Sequence, residues 1–280
     1  MTEEKDRAIG CFIGLAVGDA LGSPAEFKEP GEFEPITTMR YSGVWRIPAG
    51  YWTDDTSMAL CLAESIIEHD EIRHLDVLER FCRWYQLGEN SSTGRCFDIG
   101  STTRRALEAW LRDGDKNGAP ASFWESGNGS IMRLAPVAIR WFRDPELLAS
   151  VARAQGVITH ASEPCVQGCE ELASLLGRAI RGEDVITELR AFAGEQVDGV
   201  PNSGYVVDTM IAAKWAVGAT NCFDDAVLAA ANLGGDADTI AAVAGQIAGA
   251  VYGLSNIRRE WIDTLHDNAR LLDIAERLYK

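Results

Sequence analysis

Apolar residues recur at helical spacing along almost the whole chain. The segments 5–21, 57–69, 75–85, 102–111, 131–141, 145–155, 164–181, 186–193, 205–217 and 223–231 show it, as do the run after Thr239 and a closing segment, 259–278. Recurrence every three to four residues marks helices that bury one face. Strand-like alternation is confined to 36–44. The alternation of strands with helices that a parallel sheet requires is missing, and no repeat of fixed period or long Pro- or Ser-rich linker interrupts the chain. The pattern predicts an all-α fold, a compact helical bundle with 1–280 as a single domain. Polar punctuation places the loops at 22–50, 88–101, 113–130, 159–163, 197–204 and 233–238. Loops on a rigid scaffold are where chemistry collects.

Two helices stand apart from the rest. Gly10, Gly14 and Gly18 in the first, and Gly245, Gly249 and Gly253 in the run after Thr239, recur every four residues and so fall along one face each. Glycine inside a helix costs about 1 kcal/mol relative to alanine. Such stripes therefore predict a neighbouring helix lying unusually close, with both helices at the centre of the bundle.

Acidic motifs border these apolar segments. Thr53-Asp54-Asp55-Thr56 runs into Met58-Ala59-Leu60, and Asp236-Ala237-Asp238-Thr239 runs into Ile240-Ala241-Ala242-Val243. Carboxylates that face a core unpaired are costly. Helix starts favour Asp and Thr as caps, yet a cap explains one such residue per helix and not the doubled pattern. Two clusters of hard oxygen side chains, brought together, suit divalent cations.

Composition narrows the partners. The chain carries 26 Lys and Arg against 42 Asp and Glu, a formal charge of −16, which repels phosphate backbones and disfavours general nucleic-acid binding. The seven Cys form no Cys-x-x-Cys pair, and most lie in apolar helical stretches, as free thiols do in a reducing compartment. No apolar run is long enough to span a membrane without a polar interruption, and the charged start, Met1-Thr2-Glu3-Glu4-Lys5-Asp6, does not read as a signal peptide. A cytoplasmic protein without membrane association is expected. Gly127–Ser130 lacks the Gly-Lys-Ser/Thr of a P-loop, and no Gly-x-Ser-x-Gly elbow occurs.

The chain resembles the ADP-ribosylglycohydrolase family. The resemblance is carried by Gly18-Asp19-Ala20-Leu21-Gly22, Glu26-Phe27, Trp52-Thr53-Asp54-Asp55-Thr56-Ser57-Met58, Gly127-Asn128-Gly129-Ser130-Ile131-Met132-Arg133, Thr159-His160, Ser203-Gly204-Tyr205 and Asn232-Leu233-Gly234-Gly235-Asp236-Ala237-Asp238-Thr239, in the family's order. It implies a compact all-α fold and a site for two divalent cations, Mg or Mn, held by Thr53, Asp54, Asp55, Asp236, Asp238 and Thr239. It implies Glu26, or a carboxylate of the Asp54/Asp55 pair such as Asp55, as the catalytic acid–base group. Around them it implies an ADP-ribose cradle: Asn128, Gly129 and Ser130 at a pyrophosphate, His160 at a phosphate or ribose, Tyr205 on a nucleoside ring, and Asp98 on ribose hydroxyls or the acceptor.

The implied activity is metal-dependent hydrolysis of the glycosidic bond between ADP-ribose and an acceptor, either a protein side chain such as arginine or a small molecule. Two other classes stay open at this level. One is a non-catalytic ADP-ribose binder or structural relative, which loss of metal ligands would favour and none is lost here. The other is a metal-dependent phosphoesterase, which would yield phosphate or nucleotide instead of intact ADP-ribose.

Overall fold

The computed structural model describes residues 1–114, 119–195 and 199–280; parts of the expected loops at 113–130 and 197–204 lie outside them. The described residues form thirteen α-helices and no sheet: α1 (Glu3–Gly22), α2 (Asp54–His69), α3 (His74–Leu87), α4 (Ser101–Asp113), α5 (Ala135–Trp141), α6 (Pro145–Gly156), α7 (Glu163–Arg181), α8 (Ile186–Glu195), α9 (Val206–Gly218), α10 (Phe223–Ala231), α11 (Ala237–Tyr252), α12 (Arg259–Thr264) and α13 (Asn268–Leu278). The all-α expectation holds. Among the described residues no helix is long and apolar enough to cross a membrane.

α1 begins where the Thr2 side chain accepts the Lys5 N–H and three acidic residues occupy the first turn, both favourable at a helix N-terminus. From Ala8 onward every residue of α1 is buried, and so is α11 from Ala237 to Ala250. Helices that are apolar all round belong at a centre. They pack antiparallel along their small-residue stripes, Gly10 against Gly249, Gly14 against Gly245, Gly18 against Ala241 and Gly22 against Ala237. A Cβ on Gly14 would lie 2.1 Å from the Gly245 carbonyl oxygen, and one on Gly18 would lie 2.0 Å from that of Ala241. Rigid backbone on the far side cannot yield as a side chain would. Gly14→Ala is therefore expected to cost about 1–3 kcal/mol, as overpacking typically does, and urea denaturation reads it. This antiparallel contact matters for position. It brings the C-terminal end of α1 and the N-terminal end of α11 to the same end of the bundle.

Three expected elements differ. Segment 131–141 becomes helical only at Ala135, because Pro136 lacks an N–H and suits the first turn. Segment 259–278 divides into α12 and α13, separated by Asp267 at φ 47°. The strand-like stretch 36–44 contributes only to an isolated bridge, Ser42 with Ile47. All seven Cys are free, and Cys11, Cys61, Cys82, Cys165 and Cys169 are buried.

Candidate active site

Asp19, in the last turns of α1, does what neither doublet does for itself. Its Oδ1 accepts the Thr53 N–H and hydroxyl at 2.9 and 2.8 Å, and its Oδ2 accepts the Thr56 N–H and hydroxyl at 3.0 and 2.6 Å. The start of α2 is thus capped from a neighbouring helix, and Thr53, its own N-cap residue, makes no side-chain cap. Asp54 and Asp55 are left free of capping duty. Asp236 at the N-cap of α11 likewise makes no side-chain cap; its Oδ2 accepts from the Asn128 side-chain amide.

These ends meet in one acidic cavity of about 200 Å³. Glu26, Asp54, Asp98, Asp236, Asp238 and Thr239 line it, together with Asn128, Gly129 and His160. Asp55 and Thr53 are buried behind this wall, where the Thr53 hydroxyl lies 3.2 Å from Asp55 Oδ2 and 3.4 Å from Asp238 Oδ2. Asp98 stands in the left-handed region at φ 50°. Oxygens of Glu26, Asp98 and Asp238 all lie within 4.8 Å of one another. Sequence reasoning assigned Glu26 to proton transfer and Asp98 to substrate, so their joining Asp238 as a candidate ligand group is added by the fold.

Electrostatics show how costly this gathering is. Burial, then the charges of Asp55 and Asp238, hold the Asp54 carboxyl well above the usual range. Burial and then Asp19 do the same for Asp55, and burial and then Asp54 for Asp98. Asp238 is pushed up to about 7 by burial and then by Asp236. Burial followed by Asp238 and Asp98 raises Glu26, against the lowering effect of the Trp45 indole N–H that donates to its Oε2. Asp55 Oδ1 and Asp98 Oδ2 are buried without a hydrogen-bond partner among the described residues. Buried, mutually repelling carboxylates with idle oxygens fit hard divalent cations.

The rest of the lining centres on the Gly127–Gly129 turn. Asn128 donates its N–H to the Gly204 carbonyl and its side-chain amide to the Thr209 hydroxyl, which fixes the Gly127–Gly129 turn. A Cβ on Gly129 would stand 2.7 Å from His160 Cε1, so glycine is what lets the ring and the turn lie side by side. Burial, then the Arg133 and Arg105 cations, lower the His160 imidazole to about 3, and it stays neutral. Ser130 is wholly buried with its side chain near Cys165 and Cys169, so its contribution to the expected cradle would be its backbone N–H. Arg133 lies in the turn before α5.

A sequence model of the ADP-ribosylglycohydrolase family matches residues 1–280. The chain belongs to that family. It is 42% identical to an ADP-ribosylarginine hydrolase, Tri1, of Pseudomonas putida, over 98% of this chain and 78% of that protein. It is 34% identical to the ADP-ribosyl-[dinitrogen reductase] glycohydrolase of Rhodospirillum rubrum, over 93% of this chain and 90% of that one. A solved ADP-ribosylglycohydrolase-related protein complex superposes with a TM-score of 0.83 at 37% identity, covering 100% of this chain and 99% of the other.

Beside the acidic cavity of this family member runs a second cleft of about 400 Å³. The two share Ser101, Thr102, Gly127 and Gly204. Tyr205, at the N-cap of α9, lines the second cleft with Phe123 and Trp124, the latter 91% exposed. Phe123 lies 6.1 Å from Tyr205, centroid to centroid. The two aromatics at 123 and 124 were not foreseen; an exposed Phe-Trp pair in a polar loop was the available signal. Trp45, packed between Phe27 and Phe97, was missed as the partner of Glu26.

Proposed function

We propose that this chain is a metal-dependent hydrolase that frees ADP-ribose from an arginine-type acceptor by cleaving the glycosidic bond at the distal ribose. The observation that carries the reading is the layout of the two clefts. A carboxylate-lined cavity and an aromatic cleft share walls at the Gly127 turn, an arrangement that would suit a ribose, a pyrophosphate and a nucleoside in turn. The arginine acceptor is supported by the name of the 42% identical relative. Free thiols and the absence of a membrane-crossing helix among the described residues are compatible with the cytoplasm.

Thr53, Asp54, Asp55, Asp236, Asp238 and Thr239 would hold two cations, Mg or Mn, which when bound supply Lewis acidity and an acidified water. Asp19 keeps Thr53 and the start of α2 in register, and Asn128 orients Asp236. Glu26, pinned by Trp45, takes the proton from the attacking water as its oxygen bonds the anomeric carbon. The carbon–nitrogen bond breaks, and Glu26 passes that proton to the departing guanidine nitrogen, which returns Glu26 to its starting state. Gly129 and the neutral His160 ring receive the pyrophosphate, and Tyr205 stacks on the nucleoside.

Purified protein given ADP-ribosylated arginine, serine, nucleobase and small guanidines, with and without Mn²⁺ or Mg²⁺, tests this reading. Free ADP-ribose from the arginine substrate, lost on chelation, is expected. Release of phosphate or nucleotide would point to a phosphoesterase, and no product from any substrate to a non-catalytic binder. Tyr205→Ala is expected to weaken ADP-ribose binding by about 1–3 kcal/mol, the range for aromatic–base stacking, as read by titration calorimetry.

A further inference from the structure

Arg133 is wholly buried, yet among the described residues no carboxylate forms an ion pair with it. Its guanidinium lies 4.6 Å from the Phe81 ring centroid. Nε donates to Gln155 Oε1 at 3.1 Å, and Nη2 donates to the Gln155 carbonyl at 3.2 Å and to the Thr159 hydroxyl at 2.8 Å. A guanidinium only donates. Thr159 Oγ1 is therefore an acceptor toward Arg133 and has one hydrogen of its own to place.

The acceptor it finds among the described residues is His160 Nδ1, at 2.8 Å. A ring nitrogen that accepts carries no proton, so in a neutral imidazole the proton sits on Nε2. The reverse arrangement, Nδ1–H toward Thr159, would leave the threonine hydrogen without a partner in a buried site, which is costly. His160 lines the acidic cavity beside Gly129, and among the described residues the ring's hydrogen bond is made at Nδ1, which leaves Nε2 for a ligand. We propose that Arg133 and Thr159 are positioning residues that lock His160 as the Nε2–H tautomer, a neutral donor aimed into the cavity at a phosphate oxygen of the ligand.

A neutral donor suits this place. A cationic imidazolium would be attracted to the carboxylates of the same cavity and would compete with cations bound there, whereas a neutral N–H grips phosphate without doing so. The ligand half of this inference rests on the ADP-ribose reading; the tautomer half does not.

Side-chain ¹H–¹⁵N NMR of His160, assigned by loss of its signals in His160→Gln, tests the tautomer without any ligand. A protonated Nε2 and an unprotonated Nδ1 are expected. Thr159→Val should mix the tautomers and weaken ADP-ribose about 3–10-fold, the worth of one neutral hydrogen bond, with Mn²⁺ affinity unchanged. Thr159→Ser should restore both. A proton on Nδ1 in the wild type overturns the proposal, as does a Thr159→Val protein with unaltered tautomer and ligand affinity. If the wild-type tautomer is as expected but ADP-ribose does not bind at all, the ADP-ribose reading fails and the relay stands. Should Thr159→Val not fold, the wild-type spectrum alone decides.

Discussion

Glu26→Gln is expected to lower the turnover number by about 10²–10⁴-fold, the contribution of a positioned proton-transfer group, while leaving ADP-ribose affinity close to that of the wild type. The substitution keeps the size of the side chain and an oxygen for the Trp45 indole N–H. It removes the capacity to take up and release a proton beside the reacting carbon. Because oxygens of Glu26, Asp98 and Asp238 lie within 4.8 Å of one another, a purely ligating role for Glu26 makes a different prediction. Mn²⁺ affinity would then fall in step with turnover, and saturating Mn²⁺ would restore much of the rate. Turnover, Mn²⁺ binding and ADP-ribose binding measured on the same variant separate the two. Near-normal turnover would remove Glu26 from the mechanism.

The parts of this architecture that were legible in sequence are those where local chemistry has one physical meaning. Glycine every fourth residue in an apolar helix means close backbone approach, and the pairing of α1 with α11 is that approach. Two acidic doublets followed by buried helices mean a shared site, and Asp54, Asp236 and Asp238 line one cavity. What escaped is set by tertiary context. A buried hydrogen bond at Asp19 is legible from its place in an otherwise apolar helix, but its partner, the start of α2 at Thr53, 34 positions away, is not, because no local rule reports a cap donated by another helix. The division of 259–278 arises at Asp267, where an apolar pattern continues across a left-handed residue. The Phe123–Trp124 pair and the inward-turned Ser130 hydroxyl depend on how irregular loop backbone folds, to which periodicity is blind.

Asp238→Asn is expected to abolish activity and yet to stabilise the metal-free protein at neutral pH. The first effect follows if this carboxylate, at the junction of α11 with Glu26 and Asp98, is needed to hold a cation. The second follows from linkage. A carboxyl whose folded pKa lies above its unfolded value of about 4 binds its proton more tightly when folded, so stability falls as pH rises between the two values. For Asp238 the folded value is about 7, and Asp54, Asp55 and Asp98 are displaced in the same direction. Chelated wild type should therefore melt at a lower temperature at pH 7.5 than at pH 5. Adding Mn²⁺ or Mg²⁺ should raise the melting temperature more at pH 7.5, because the cations bind the folded, ionised cluster. Asn at 238 deletes one repelling charge, so the chelated variant should melt a few degrees above chelated wild type at pH 7.5 and gain less from added cation. A chelated variant that is less stable than wild type at pH 7.5 would show that Asp238 contributes packing or hydrogen bonds that outweigh the repulsion. A melting temperature indifferent to both cation and pH would dismiss the carboxylates as a cation site.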